Sequence, residues 1–225
     1  MAGASSSFGG VRREINWDGV PDALTAPNNL PANVFNVNSP RGVVFSTPGT
    51  GFEISANAAS GVPIQFGNVD PSYPLIFETF SAQRLFTALG STVTDVNVFV
   101  AGSTTAALTN AFGVVFTDVD LPNTSSLQLF DAANQSLGTF FVPAFAGNET
   151  LSFLGVIFSE GQVVSHVRIT SGNQILAVGN IATDLVVMDD FIYGEPRRVP
   201  EPSTVLLLAL GLAVTLRARL RRSIV

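Results

Sequence analysis

The chain has 225 residues, a formal net charge of −6, no cysteine and no lysine. Without cysteine there is no disulfide framework, thiol nucleophile or Cys-ligated metal, and without lysine there is no Schiff base or P-loop. All 11 basic residues are arginine, and four of them (Arg217, Arg219, Arg221 and Arg222) stand at the C-terminus. Residues 1–202 therefore carry 7 arginines against all 17 acids, a body that repels phosphate backbones, so no nucleic-acid partner is expected.

Residues 1–14 read as a disordered N-terminal remnant. Met1 to Gly10 lacks the basic and apolar regions of a secretory signal, and the expected start of translation lies upstream, with Ala2-Gly3-Ala4 as the remnant of a cleavage region. Residues 15–195 form the body. Its first part, 17–38, is broken by Pro21, Pro27 and Pro31 and reads as a long loop wrapping a sheet. Short apolar, β-branched and phenylalanine-rich runs follow at 42–46, 51–55, 75–80, 92–101, 112–119, 126–130, 138–142, 151–158, 163–170 and 185–193, separated by Gly, Pro, Asn, Asp and Ser clusters. Ten such strands with no internal repeat predict an all-β, antiparallel β-sandwich of jelly-roll type. Val96, Val98 and Val100 alternate with Asp95 and Asn97, so one face of that strand is buried. The runs 112–116 and 151–158 are apolar at consecutive positions and predict central strands covered on both faces.

Residues 196–202 form a linker ending in Val199-Pro200-Glu201-Pro202. The prolines hold it extended. Residues 203–225 read as one hydrophobic helix capped by Ser203 or Thr204 and closed by the four arginines, which act as a stop-transfer signal on the cytoplasmic side. From 203 to 216 the helix spans about 21 Å at 1.5 Å per residue, short for a permanent anchor.

The motif Val199-Pro200-Glu201-Pro202-Ser203-Thr204, the apolar run and the arginine end together resemble the PEP-CTERM sorting signal of Gram-negative bacteria, also called an ice-binding-protein C-terminal domain. The resemblance implies export, a membrane-inserted precursor, processing near Pro200–Pro202 by an exosortase-type membrane enzyme, and a destination at the cell surface or in the extracellular polysaccharide matrix. The body is similar to jelly-roll, lectin-like or galactose-binding-like exported bacterial domains. That likeness rests on Asn16-Trp17-Asp18-Gly19-Val20-Pro21-Asp22, the segment from Arg41 to Phe52, Phe112-Gly113-Val114-Val115-Phe116-Thr117-Asp118-Val119-Asp120, Phe153-Leu154-Gly155-Val156 and Asp189-Asp190-Phe191.

Among the acids, Asp18, Asp189 and Asp190 fit two readings. The resemblance implies a structural calcium where first and last strands meet, since calcium gathers oxygens from loops; alternatively they accept backbone N–H bonds in turns. The segment at Asp118 and Asp120 is not an EF-hand loop, lacking its glycine and terminal glutamate. Trp17 and Tyr73, placed in loops, are the candidate platform for stacking a sugar, because 18 phenylalanines offer no polar edge; a core position for both is the competing reading. His166 is the single histidine, and no Gly-x-Ser-x-Gly accompanies it, so no catalytic residue is assigned. The expectation is a non-enzymatic exported protein, with a carbohydrate-binding module as the alternative and a hydrolase behind it.

Overall fold

The computed structural model describes residues 12–161, 163–180 and 183–199. The strands are β1 (Arg12–Ile15), β2 (Val43–Ser46), β3 (Gly51–Ile54), β4 (Phe86–Leu89), β5 (Val93–Val98), β6 (Ala107–Leu108), β7 (Ala111–Thr117), β8 (Ser126–Phe130), β9 (Ser136–Phe141), β10 (Leu151–Ile157), β11 (His166–Thr170), β12 (Val187–Gly194) and β13 (Arg197–Arg198), with one short helix, α1 (Val34–Val37). One sheet has the order β10-β7-β12-β4-β3, with β1 also on β12. The second runs β2-β5-β11-β8-β9, and β13 pairs β6. Every named strand pair is antiparallel. The all-β antiparallel sandwich is as expected.

The main core explains the phenylalanines. Trp17 stacks on Phe86 at 4.2 Å between centroids, Phe86 on Phe52 at 5.5 Å, and Phe45 and Phe191 pack edge-on or tilted around them. Such offset and edge contacts add to plain burial of apolar area. Inward residues come from both sheets, among them Val96 and Leu129 from one and Val114 and Met188 from the other. As the alternation in 95–98 predicts, Val96 and Val98 are buried while Asp95 and Asn97 face Arg168 and His166 across the pair. A second, smaller core of Phe66, Tyr73, Phe77, Leu85, Leu176, Leu185 and Val187 lies under the loops around 56–80 and 171–186.

Several elements differ from expectation. The run 75–80 is not a strand: Tyr73–Leu75 is a 3-10 turn with Pro74 near its start, and Tyr73 and Phe77, four apart, both point into the small core. The strand β4 replaces it, hidden in the sequence because Phe86 and Ala88 enter the main core while Leu85 enters the second. β1 begins at Arg12, inside the stretch expected as a remnant, because Arg13 reaches Glu195 through a partly buried ion pair at 2.7 Å and its strand pairs residues 191–194. Likewise Arg197 and Arg198, expected in the linker, pair with Leu108 and Ala107. β7 is central, as expected. β10 is not: it ends its sheet, and Leu151, Phe153 and Ile157 are exposed. Among the described residues no helix is long and apolar enough to cross a membrane; the hydrophobic helix expected over 203–225 lies outside them.

Candidate functional site

Two of the sequence-expected site residues sit on β12. Between Met188 and Phe191 the β12–β7 register shifts, a bulge that inserts one residue and turns Asp189 and Asp190 out of simple alternation. Both are buried, at 0 and 3 % exposure. Their partners are backbone amides and a hydroxyl. Asp189 Oδ2 accepts from the N–H groups of Phe80 at 2.7 Å and Ser81 at 3.3 Å. The Ser81 hydroxyl donates to Asp190 Oδ1 at 2.8 Å. Asp18 Oδ1, on the loop after β1, accepts from Gln83 N–H at 2.7 Å and Arg84 N–H at 3.3 Å. Asp18 and Asp189 thus hold the loop 80–84 by its main chain and Asp190 holds it by the Ser81 hydroxyl, which satisfies donors that burial would otherwise orphan.

The electrostatics follow from that packing. Burial raises the Asp189 carboxyl well above the ordinary carboxylate range, reinforced by its hydrogen bond to, and repulsion from, Asp190. Glu14 is raised by burial and then by Asp190, and Asp18 by burial, against the lowering effect of its two amide donors. Among the described residues no group of three or more acids or histidines is arranged to hold a metal ion. Both Asp189 oxygens and one oxygen each of Asp18 and Asp190 already accept from amide or hydroxyl donors.

Trp17 and Tyr73 are corrected as ligand platforms. Trp17 is 1 % and Tyr73 0 % exposed, so neither ring offers a face to a sugar. Their polar edges are spent inside: Trp17 Nε1–H donates to the Asp189 carbonyl at 2.8 Å, and the Tyr73 hydroxyl donates to the Ala177 carbonyl at 2.6 Å while accepting from Ala177 N–H at 3.0 Å. His166 lies on the outer face of β11, stacked on Phe130 at 4.5 Å and 3.1 Å from Asp95 Oδ1, which also accepts from Arg168 Nε at 2.8 Å. Burial raises the Asp95 carboxyl, but the bonds from Arg168 and His166 outweigh it and hold it below its usual range.

The loop 80–84 borders what sequence reasoning missed. A cleft of about 250 Å³ is lined by Ala58, Ile64, Gln65, Thr79, Ala82 and Gln83. Gln65 and Phe66 hold left-handed backbones, φ 49° and 62°, and the Gln65 side chain donates to the Phe77 carbonyl at 2.6 Å. No residue type in the sequence marks this cleft; it arises where two loops meet. A further buried acid, Asp118, was given no site role from the sequence. Asp118 is 4 % exposed with φ 67°, and among the described residues its Oδ1 has no hydrogen-bond partner. Burial, then Asp120 and Asp184, push its carboxyl up to about 7. Asp184 beside it is satisfied, accepting from the amides of Asp120 at 2.6 Å and Leu121 at 3.2 Å and from the Thr124 hydroxyl.

β13 brings the chain to Arg198, and residues 198–222 match the family model of the PEP-CTERM protein-sorting motif. The chain carries a PEP-CTERM sorting motif. That signal marks an exported protein. Val199 lies at the end of the described residues; Pro200, Glu201, Pro202 and the four arginines of the tail lie outside them. No curated protein matches the chain. Solved structures similar to it include a variant of a family 29 carbohydrate-binding module (7 % identity over 49 % of this chain and 69 % of that one, TM-score 0.29) and a second family 29 module (4 %, 50 % and 67 %, 0.29). Another is a family 43 arabinoxylan arabinofuranohydrolase from Bacillus subtilis (16 % identity, 65 % of this chain, 25 % of that one, TM-score 0.33). At these identities and TM-scores nothing about ligand or reaction carries over to this chain.

Proposed function

We propose that this chain is a non-enzymatic β-sandwich delivered to the cell surface or extracellular matrix of a Gram-negative bacterium as a membrane-inserted precursor, whose tail is processed near Pro200–Pro202 by an exosortase-type enzyme. In this reading the body runs from the first strand to the linker, and residues 203–225 are the transient membrane helix with its arginine stop. The observation that carries it is the join between the two parts: Arg198 is both the last residue of β13 and the first of the matched motif. The hydrogen-bonded body therefore runs right up to the signal, and cutting beyond Val199 removes the tail without breaking a described strand. Replacing Pro200, Glu201 and Pro202 by alanine in cells tests this. The expected result is an unprocessed precursor held in the membrane fraction, while the native chain loses its tail; equal processing of both would overturn the reading.

The second reading, a carbohydrate-binding module acting on extracellular polysaccharide, is favoured by the cleft. Two carboxamides and a hydroxyl beside Ile64 and two alanines suit the mixed polar and apolar faces of a neutral sugar. Gln83→Ala is expected to reduce retardation in affinity electrophoresis through polysaccharide gels without moving the melting temperature; unchanged retardation of both proteins contradicts it. A hydrolase using Asp189 and Asp190 is disfavoured by their burial, which leaves a substrate no approach to either carboxylate.

A further inference from the structure

Sheet edges present unpaired N–H and C=O groups, and proteins normally cover or distort them. The other edges here are managed. The edge of β3 is met by the loop before it, with Ala26 N–H on the Ile54 carbonyl and Leu30 N–H on the Phe52 carbonyl, both at 2.8 Å. The same loop closes β2, where Phe45 N–H donates to the Ala32 carbonyl at 2.9 Å. Arg41 Nε covers β1 at the Glu14 carbonyl, and β9 is broken by a register shift beside Gly138, φ 136°. Among the described residues β10 has none of these devices. It is seven residues long, without proline or charge, and among the described residues its one partner strand is β7.

The direction of its unpaired groups follows from the bonds at either end. Asp118 N–H donates to the Thr150 carbonyl and Phe158 N–H to the Asn110 carbonyl. Antiparallel pairs alternate between bonded and non-bonded, so residues 152, 154 and 156 bond to β7. The main-chain groups of Leu151, Phe153, Gly155 and Ile157 then point out of the sheet. These same four positions are the exposed ones, with side chains at Leu151, Phe153 and Ile157. Phe153 lies across glycines: a Cβ on Gly113 or on Gly155 would come within 2.9 Å of its ring.

We propose that β10 is the docking edge for β10 of a second copy of this chain, paired antiparallel about a two-fold axis through Leu154. In that register Leu151 faces Ile157 of the second copy and Phe153 faces its Gly155. All four outward residues therefore find partners at once, in four pairs that each exchange two backbone hydrogen bonds. The side chains agree, since a bulky ring meets a glycine and two aliphatic groups meet each other. Charge permits self-contact here, since from 132 to 158 the one charged residue is Glu149. Two copies of a net-acidic chain therefore meet at this edge with little repulsion. Phe140, Phe141 and Phe145, on the neighbouring edge strand β9 and the connection to β10, extend the exposed apolar flank.

The test uses the full chain in mild detergent, with its tail unchanged in every sample, by sedimentation equilibrium. The native chain is expected to dimerise with increasing concentration. Leu151→Glu alone is expected to weaken dimerisation at least tenfold, and Leu151→Glu combined with Ile157→Lys to restore it, because only the antiparallel register sets 151 against 157. Circular dichroism and melting temperature, expected to be unchanged at these exposed positions, separate lost pairing from lost folding. A chain that stays monomeric overturns the proposal, as does an equal loss in the single and double variants or association insensitive to Leu151→Glu, which points to the tail instead.

Discussion

Trp17 Nε1–H donates to the main-chain carbonyl of Asp189 at 2.8 Å, across 172 positions of sequence. The single bond joins a candidate sugar platform to a candidate metal ligand, and gives both a structural duty. The indole, stacked on Phe86, fills the main core while its polar edge closes the bulge of β12.

Trp17→Phe keeps most of the ring but removes the donor, leaving the Asp189 carbonyl buried without it. A loss of about 1–3 kcal/mol is expected in urea unfolding. Trp17→Ala should cost more, about 3–5 kcal/mol. Neither variant should change polysaccharide retention under conditions where it remains folded, whereas a sugar platform would lose retention first.

The raised carboxyls of Asp118 and Asp189 predict stability that falls with rising pH. A carboxyl with a folded-state pKa above its unfolded value favours the protonated fold. Its contribution is complete below about pH 4 and is lost as pH rises, for Asp118 through about 7. Asp70, lowered by bonds from Ser72 and Gly179, and Asp95, lowered by Arg168 and His166 against burial, act oppositely and lose their contribution on acidification. Calorimetry should therefore find a higher melting temperature at pH 5 than at pH 9. Asp118→Asn, neutral at every pH, should flatten the decline between pH 4 and 8; an unchanged slope would show that Asp118 is not its source.

Gly172 has φ 66°, and a Cβ there would lie 2.3 Å from the Asp184 carbonyl oxygen. Gly172→Ala combines a left-handed backbone with a clash against main chain, so a loss of at least about 1–3 kcal/mol is expected. The disturbed Asp184 would also release the amides of Asp120 and Leu121, visible as faster hydrogen exchange at those two positions.

Gly113→Ala meets first the end of the exposed Phe153 ring, at 2.9 Å, and then the Gly155 Cα at 3.2 Å. Its cost should shrink in a Phe153→Ala background, giving a non-zero coupling energy in a double-mutant cycle. Additive losses would place the conflict in the backbone instead.

Much of the sandwich was legible because its strands alternate or sit between turn residues, as Val96 and Val98 against Asp95 and Asn97 illustrate. What stayed hidden depended on partners distant in sequence. Arg12–Ile15 reads as a solvated charged stretch until Glu195, 182 positions beyond Arg13, neutralises it. The run 151–157 looks like a buried strand because its sequence is apolar on both faces; nothing local reveals that it stands at an edge. The acids at 18, 189 and 190 were found as a group from sequence, but whether they serve a metal or a loop depended on which N–H groups arrived, and those come from 80–84. The cleft at Gln65 and Gln83 had no signature, since amides and alanines are common in any loop.

Intact mass spectrometry of the mature protein from its host tests the processing of the tail most directly. The expected result is a body ending between Val199 and Ser203, folded and lacking Arg217, Arg219, Arg221 and Arg222. A mature chain that retains all four arginines would contradict it.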